Sequence, residues 1–346
     1  MDSVEHLIVG AGPAGLRSAQ VLAEAGREVL VAEKRAEIGP KTCAGGLTPK
    51  SRRLLHALGL PDGAGLLSEG HATFLGEQPH ALDVDLAAIL TLRRRDLGAH
   101  QRRWAEAAGA EVAGAAAVTD LDLPNRRARV GGRSIAWRHL IGADGADSGV
   151  RRALGLASPR RYFAGEYNVP GLRLEPLRIE CAPGRLANGY FWVFPHGDYT
   201  SIGAVGDRTC VRPMEVRRVI EERADALGVD LSDVPFEGAT LEVEYRGLHF
   251  AGQVHLAGDA AGLPSALTAE GIYAALVSGE DVARAILDPR HRALRTEGWL
   301  RVKRRHDRLA RWLARRSARA IVFPLLAGLA RLQAARRPLA GWFLSG

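Results

Sequence analysis

The glycine-rich run GAGPAG at residues 10–15 constrains the fold of this chain more strongly than any other feature. It follows an apolar run at residues 5–10 and opens a glycine-terminated stretch at residues 14–26, which predict a strand and a helix. A second apolar run at residues 28–33 predicts another strand and completes a βαβ unit of about 30 residues. This unit is typical of a Rossmann-type domain, in which helices cover a parallel sheet.

Each position in the glycine run has its own role in binding a dinucleotide. Gly10 permits a tight turn, Gly12 lets backbone N–H groups approach a pyrophosphate, and Gly15 lets the helix pack closely against the strand. Pro13 and Ala14 begin the helix, whose amino terminus favours the negative charge of phosphates. The run therefore predicts a dinucleotide site at this turn.

An acidic residue ends the second predicted strand. The carboxylate of Glu33, followed by Lys34, is placed to accept hydrogen bonds from both ribose hydroxyls of an adenosine. Such an acid favours FAD or NAD(H) over a cofactor with a 2′-phosphate.

Two later stretches repeat the pattern of an Asp that follows an apolar strand and precedes small residues. GADGADSGVRR contains Asp144, which we expect to order its turn. GDAAGLPSALTAEGIYAAL contains Gly258 and Asp259, and this carboxylate can hold ribityl or ribose hydroxyls. A helix predicted from about Glu270 would direct N–H groups at the pyrimidine edge of a flavin and stabilise charge on the reduced ring. Each motif alone is also compatible with an Asp cap on an ordinary turn.

In this order and at these separations, the three motifs resemble the p-hydroxybenzoate hydroxylase superfamily of FAD enzymes. Within it, the chain most resembles the geranylgeranyl reductase family. KTCAGGLTP at residues 41–49 is similar to the Cys-containing loop of that family, and GYFWVFP at residues 189–195 is similar to its YxWxFP signature. Arg94 falls where the superfamily has an arginine that contacts FAD. The resemblance covers residues 4–287.

The resemblance and the predicted elements imply an α/β fold with three regions. A discontinuous Rossmann-type FAD-binding domain is expected at residues 1–70, 91–158 and 248–290. An inserted, largely antiparallel β-sheet substrate domain is expected at residues 71–90 and 159–247, with one helix near residues 211–227. A basic helical tail is expected at residues 291–346.

The motifs and the resemblance together imply a set of site residues, and no metal ligands. The residues expected to bind FAD are Gly10, Gly12, Pro13, Ala14, Gly15, Glu33, Lys34, Cys43, Ala44, Gly45, Arg94, Asp144, Gly258, Asp259, Gly271 and Ile272. Cys43, Tyr190 and Trp192 are the candidates for a catalytic role near the flavin and in a substrate tunnel. Tyr190, Trp192 and Phe194 alternate along a predicted strand and should face one side together, although such a triplet can also pack a sheet core. Cys181 and Cys210 are expected to be structural, and His196 is expected to be a hydrogen-bonded surface residue, with a proton relay as the alternative.

Three residues depart from the family pattern. Ala187 stands where the family has Pro, Ala266 stands at a usual Pro, and Ala269 stands at a usual Gly. An added methyl group beside a flavin restricts the backbone φ angle. We expect these departures to affect the position of the flavin, access to the active site and the range of substrates.

By resemblance, the reaction is the hydrogenation of carbon–carbon double bonds in a polyprenyl chain of the geranylgeranyl type by hydride transfer from reduced FAD. Two alternatives stay open, namely an FAD-dependent hydroxylase of an aromatic or polyketide substrate and a catalytically silent flavin-binding partner at a membrane. No separate NAD(P)H-binding fingerprint is visible, so NAD(P)H, ferredoxin or another protein can be the electron donor.

Charge is distributed unevenly along the chain. The net charge is +8, and residues 290–346 hold 15 of the 47 Lys and Arg but only 2 of the 39 Asp and Glu. Tryptophans and apolar residues, including Trp299, Trp312 and Leu313, fall on one face of a basic helix, and Lys303 and several arginines fall on the remainder. This pattern predicts contact with an anionic membrane surface or packing on the FAD domain. No recognised motif for binding nucleic acid accompanies the charge.

Three cysteines make no disulfide framework, and no signal peptide is visible, so we expect a cytoplasmic protein, peripheral on the inner face of the membrane.

Overall fold

The computed structural model of the protein describes residues 2–74 and 82–330, in which the strands assemble into two sheets. In chain order the strands are β1 (Asp2–Val9), β2 (Val29–Ala32), β3 (Gly46–Leu47), β4 (Leu66–Phe74), β5 (Leu82–Thr91), β6 (Glu111–Ala113), β7 (Val118–Asp122), β8 (Arg127–Val130), β9 (Arg133–Gly142), β10 (Arg161–Pro170), β11 (Leu177–Cys181), β12 (Tyr190–Pro195), β13 (Tyr199–Asp207), β14 (Phe236–Glu242), β15 (His249–Phe250) and β16 (Val254–Leu256). The helices are α1 (Pro13–Glu24), α2 (Pro49–Ala57), α3 (Arg94–Ala107), α4 (Gly149–Ala153), α5 (Pro183–Leu186), α6 (Pro213–Ala226), α7 (Ile272–Leu287), α8 (Leu294–Leu313) and α9 (Arg316–Ala330). Short 3₁₀ turns lie at Ala251–Gln253 and Gly258–Ala261.

The first sheet is the predicted Rossmann-type sheet. Strands β16, β9, β1, β2 and β6 run parallel in this order, and Leu7 of β1 pairs with Leu30 and Leu140 of its two neighbours. The antiparallel strands β7 and β8 extend from β9. Because helices cover such a sheet, its central strands are continuous apolar runs, and all four residues of β2 are buried. Helix α7 packs on α1 so closely that a Cβ on Gly279 would lie 2.3 Å from the carbonyl oxygen of Ala14.

The second sheet is largely antiparallel, as predicted. Its order is β14, β10, β13, β12, β11, β4, β5 and β3, and among the described residues only β11 and β4 pair in parallel. Helix α6 covers one face, where Val216 and Ile220 pack with Phe191 and Val193. Strands β3 and β4 begin inside residues 1–70 and nevertheless pair in this sheet. Two strands from the expected FAD-binding segment thus belong to the second sheet. The residue limits of the two domains stay a prediction.

The C-terminal region is helical as far as residue 330, and residues 331–346 of the predicted tail lie outside the described part of the chain. Helix α8 buries Trp299 and Leu313, as its apolar pattern predicts, but two positions differ from the expected face. The side chain of Trp312, expected on the buried face, is 46% exposed. The side chain of Lys303, expected in solvent, is only 1% exposed, and its ammonium group donates hydrogen bonds to three oxygen atoms. The apolar face of α8 thus packs into the protein. None of the helices in the described residues combines the length and the hydropathy needed to cross a membrane.

Candidate functional site

The sequence motifs converge at one edge of the first sheet. The carboxyl ends of β1, β2, β9 and β16 lie at this edge because these strands are parallel neighbours. The turns after them carry the glycine run, Glu33, Asp144 and Asp259. Open α/β sheets bind ligands at this edge.

The glycine run forms a tight turn that leaves open space at one position. Gly10 has a φ of +100°, and a Cβ placed on it would lie 2.5 Å from the carbonyl oxygen of Ala143. A Cβ on Gly15 would lie 2.0 Å from the carbonyl oxygen of Gly10. A Cβ on Gly12 would meet nothing within 4 Å. Glycine is therefore needed at positions 10 and 15, where the turn packs closely against neighbouring backbone. Gly12 borders open space at the start of α1, which fits a pyrophosphate.

The acid at the end of β2 is held against the glycine turn. One carboxylate oxygen of Glu33 accepts a hydrogen bond from the backbone N–H of Ala11 at 2.9 Å, and the other accepts one from the backbone N–H of Arg35 at 3.0 Å. These bonds fix the carboxylate beside the turn, where the ribose of an adenosine is expected. Lys34 is exposed next to it.

Two buried polar groups near this edge lack partners among the described residues. Asp144 accepts hydrogen bonds from the N–H groups of Gly149 and Val150 through Oδ2, and its Oδ1 is buried without a partner. The Nε and Nη1 atoms of Arg94 are also buried without partners, and this side chain lines a cavity together with Pro13 and Asp259. Because buried polar atoms are normally paired, a polar cofactor at this edge fits both residues.

The third motif lies opposite the Cys-containing loop. Asp259 forms an ion pair with Lys41 at 2.8 Å. Gly271 is the N-cap of α7, and a Cβ placed on it would lie 3.4 Å from the Oδ1 atom of Asp259. The amino terminus of α7 and Asp259 therefore border the same space, with Ile272 in the cavity lining.

Two residues that sequence reasoning did not select for the site hold the Cys-containing loop. Glu166 on β10 accepts a hydrogen bond from the backbone N–H of Cys43 at 2.7 Å. His196 makes a hydrogen bond to the carbonyl oxygen of Ala44 at 3.0 Å, and burial lowers the pKa of this imidazole to about 4. Burial raises the pKa of Glu166 to about 7. A charged residue inside the otherwise uncharged segment AGEYNV of β10 was the available signal for Glu166.

A cavity of about 240 Å³ runs from this edge to the second sheet. Tyr190, Trp192 and Phe194 line it together, which confirms the predicted alternation along β12, while Phe191 and Val193 face the α6 side. The remaining walls are mostly apolar and include Ile89, Ile179 and Leu241 from other strands and Leu309, Leu313 and Phe323 from α8 and α9.

Hydrogen bonds connect the aromatic strand to the Cys-containing loop. The indole N–H of Trp192 donates to Ser201 at 3.0 Å, and the hydroxyl of Ser201 donates to Glu166 at 2.9 Å. Glu166 in turn accepts from the N–H of Cys43. The hydroxyl of Tyr190 donates to the carbonyl oxygen of Thr268 at 2.7 Å, and burial raises the pKa of this phenol.

Several expected roles change in the structure. Cys181 lines the cavity, although the sequence indicated only packing, and burial raises the pKa of its thiol to about 12. Cys210 is exposed. Ala187 and Ala269 have φ angles of +57° and +52°, so both adopt a backbone conformation that favours glycine. Within residues 2–74 and 82–330, no cluster of His, Cys, Asp or Glu is arranged to hold a metal ion.

Comparisons with known proteins agree with this geometry. A family model described as FAD binding domain matches residues 3–287. Digeranylgeranylglycerophospholipid reductase 1 of Methanopyrus kandleri is 32% identical over 298 residues, which cover 79% of this chain and 77% of that protein. Menaquinone reductase of Mycobacterium tuberculosis is 31% identical over 327 residues, 84% of this chain and 78% of that protein. A solved geranylgeranyl bacteriochlorophyll reductase-like structure from Thermoplasma acidophilum matches with a TM-score of 0.75 at 22% identity, covering 96% of this chain and 92% of that one.

The glycine turn, the parallel sheet and the matching domain define an FAD-binding oxidoreductase. More narrowly, the chain belongs to the geranylgeranyl reductase family of FAD-dependent oxidoreductases. The contacts of individual residues with FAD stay a prediction.

Proposed function

We propose that this protein hydrogenates carbon–carbon double bonds of a polyprenyl chain of the geranylgeranyl type. The observation that carries the proposal is the continuous cavity between the cofactor edge and the aromatic face of β12. At one end it is lined by Asp259 and Arg94, and at the other by Trp192, Phe194 and Leu241. A long apolar chain could lie in the second part while its reacting double bond lies in the first. The names of the two curated relatives, a reductase of digeranylgeranylglycerophospholipid and a menaquinone reductase, support this substrate class.

Bound FAD in its reduced form would supply a hydride to one alkene carbon, while a proton reaches the other. An isolated alkene has no carbonyl group to accept charge, so positioning and exclusion of water must supply much of the rate enhancement. The apolar walls formed by Trp192 and Phe194 exclude water from the reacting carbons. The bond from Tyr190 to Thr268 holds this phenol ring against the loop that precedes α7. Cys43, which lines the cavity, is held by Glu166 at a position from which it can limit access to the flavin.

An anaerobic reaction distinguishes the proposed reduction from its alternatives. FAD in the purified protein is photoreduced, geranylgeranyl diphosphate or a geranylgeranylated lipid is added, and the flavin absorbance is followed. The proposal predicts that the flavin is reoxidised without oxygen. If the flavin stays reduced until oxygen is admitted, a hydroxylated product formed from an aromatic or polyketide substrate indicates a hydroxylase, whereas oxidation of the flavin without any product indicates a silent binding protein.

The corner between α8 and α9, comprising residues 309–325, is proposed to bind an anionic membrane surface. Its outer side combines exposed apolar side chains with positive charge. Trp312, Ile321 and Leu325 are exposed by 46%, 59% and 60%. Arg315 and Arg316 are exposed between them, and their guanidinium groups suit anionic lipid headgroups.

The inner side of the same corner faces the cavity. Leu309 and Leu313 of α8 and Phe323 of α9 contribute to its apolar wall. A lipid substrate would therefore have a short path from a membrane surface into the cavity.

Sedimentation with vesicles tests the membrane proposal. The protein should sediment with phosphatidylglycerol vesicles and remain in solution with phosphatidylcholine vesicles, because the basic corner requires anionic headgroups. Trp312→Ser combined with Ile321→Ser should abolish sedimentation. Leu294→Ser is the matched control, since Leu294 is 59% exposed at the other end of α8, about 27 Å away at 1.5 Å per residue. Equal sedimentation of all three proteins would contradict the proposal.

The electron donor is proposed to be NAD(P)H or a carrier protein such as ferredoxin. Under anaerobic conditions, NADPH or NADH alone should bleach the flavin absorbance if the nucleotide reacts directly. Bleaching that requires reduced ferredoxin would instead identify a protein donor.

A further inference from the structure

We propose that helix α8 positions the flavin loop, defined as residues 258–271, and that Lys303 is the central positioning residue. The resemblance of the sequence to the reductase family ended at residue 287, before this helix. In the structure, however, α8 bonds to four consecutive residues of the flavin loop. The indole N–H of Trp299 donates to the carbonyl oxygen of Leu263 at 2.9 Å, and the ammonium group of Lys303 donates to the carbonyl oxygen of Pro264 at 2.8 Å.

The next two loop residues are held from the following turn of the helix. The Nδ1 atom of His306 shares a hydrogen bond with the hydroxyl of Ser265 at 3.0 Å. The Oδ1 atom of Asp307 accepts a hydrogen bond from the backbone N–H of Ala266 at 3.1 Å. Positions 299, 303, 306 and 307 have the spacing of one helix face, so a single rigid element holds the whole segment.

Lys303 joins three separate segments of the chain. Besides Pro264, its ammonium group donates to the carbonyl oxygen of Val243 at 2.5 Å and to the Oδ2 atom of Asp307 at 2.8 Å. These bonds use all three donors of the group. Burial lowers the pKa of Lys303, and the neighbouring Asp307 opposes this shift. Burial of an ammonium group is costly unless every donor is paired, which makes this position sensitive to substitution.

The held segment contacts the part of the loop that borders the cofactor site. The backbone N–H of Ala269 donates to the carbonyl oxygen of Ser265 at 3.0 Å, and the N–H of Ser265 donates to the carbonyl oxygen of Glu270 at 3.0 Å. A Cβ placed on Gly271 would lie 3.3 Å from the ring of Pro264. A shift of residues 263–266 would therefore move the start of α7, where the flavin ring is expected.

Lys303→Met tests the proposal because Met occupies a similar volume without the three donors. Titration of the apoprotein with FAD should show a dissociation constant about tenfold higher than that of the natural chain. At saturating FAD, the visible spectrum and the flavin reduction potential should also shift, which a change confined to overall stability would not produce. Arg301→Ala, an exposed position on the same helix, should leave the dissociation constant, spectrum and potential unchanged. Unchanged values in Lys303→Met would overturn the proposal.

Two milder variants keep the test open if Lys303→Met does not fold. Trp299→Phe removes the donor to Leu263 and retains most of the ring, and His306→Phe removes the partner of the Ser265 hydroxyl and retains a ring at this position. Each should raise the FAD dissociation constant several-fold and shift the flavin spectrum. Natural FAD affinity and an unshifted spectrum in both variants would contradict a positioning role for α8. Because these readouts need no prenyl substrate, failure here is distinct from failure of the proposed reduction.

Discussion

The cofactor side and the apolar side of the cavity are built by different physical means. On the cofactor side, short motifs at strand ends present backbone groups, glycines and single acids such as Glu33 and Asp259. On the apolar side, side chains from several strands and two helices meet, and their positions depend on packing between distant parts of the chain. The first side is therefore sensitive to backbone clashes and the second to lost volume. The difference predicts which substitutions affect folding, which affect cofactor binding and which affect the substrate.

The largest effect is expected within the glycine turn. Gly15→Ala places a methyl group about 2 Å from the carbonyl oxygen of Gly10 and should lower the free energy of unfolding of the apoprotein by about 4 kcal/mol. Gly12→Ala has no protein atom within 4 Å of the new Cβ, so its apoprotein should be as stable as the natural one while FAD binds more weakly. Chemical denaturation and FAD titration of both variants measure the contrast. Equal stability of the two apoproteins would show that Gly15 is not needed for packing more than Gly12 is.

Neighbouring positions on β12 should separate substrate effects from stability effects. Phe191→Ala and Trp192→Ala each remove a buried ring and should each lower the free energy of unfolding by about 3–4 kcal/mol. Only Trp192 lines the cavity, so only its replacement should reduce kcat/KM for a prenyl substrate, by about tenfold or more. Steady-state kinetics below the unfolding temperature of both variants provide the measurement. A similar kinetic loss in Phe191→Ala would show that the two faces of β12 are not functionally distinct.

The first sheet should lose stability in acid. Burial lowers the pKa of His255 to about 3 and that of His139 to about 4, both from 6.5. The unfolded chain therefore takes up protons near pH 6.5 that the folded chain binds only at lower pH, so stability falls as the pH decreases below 6.5. Between pH 6.5 and 5 we expect a loss on the order of 2 kcal/mol for His255. In urea denaturation, the free energy of unfolding of His255→Gln should fall less steeply below pH 6.5 than that of the natural chain. An equal fall in both proteins would exclude His255 as its source.

The second sheet should respond to pH in the opposite direction. Burial raises the pKa of Glu166 from 4.5 to about 7, so the folded chain retains a proton that the unfolded chain releases near pH 4.5. Its contribution is complete below pH 4.5 and is lost as the pH rises to about 7, on the order of 3 kcal/mol. Glu166→Gln cannot titrate and should flatten this slope in denaturation curves recorded between pH 5 and 8. A slope equal to that of the natural chain would show that another group titrates.

The smallest effect is expected at two of the three described alanines that have positive φ angles, Ala269 and Ala115. Ala269 and Ala115 have φ angles of +52° and +53°, and replacement by Gly should raise the free energy of unfolding by about 0.5–1 kcal/mol in each case. Only Ala269 lines the cavity, so only Ala269→Gly should also alter the flavin spectrum. Thermal denaturation and absorbance spectra compare the two variants. An unchanged spectrum in Ala269→Gly would show that its methyl group does not influence the flavin.

Sequence reasoning succeeded where a function depends on consecutive residues. The βαβ unit, the two strand-end Asp motifs and the alternation along β12 are local patterns, and the structure shows the parallel sheet and the shared cavity face that they predict. The antiparallel character of the second sheet was also predictable, because its region is rich in strands and turns.

Reasoning from sequence failed where function depends on contacts between distant segments. Glu166 lies 123 positions from Cys43, whose N–H donates to it, and Lys303 lies 39 positions from Pro264. A basic residue among many arginines on a helix gives no sign that it is buried, so Lys303 was placed on the polar face. Trp312 was placed on the apolar face for the converse reason, since periodicity alone does not reveal which neighbours cover a helix.

The most direct test of the central claim is the mass of a prenyl substrate after a single anaerobic turnover with photoreduced FAD protein. If the cavity brings the polyprenyl chain to the flavin, mass spectrometry should show a product that has gained two hydrogens, one product molecule for each flavin reoxidised. A substrate of unchanged mass beside flavin that remains reduced would contradict the account.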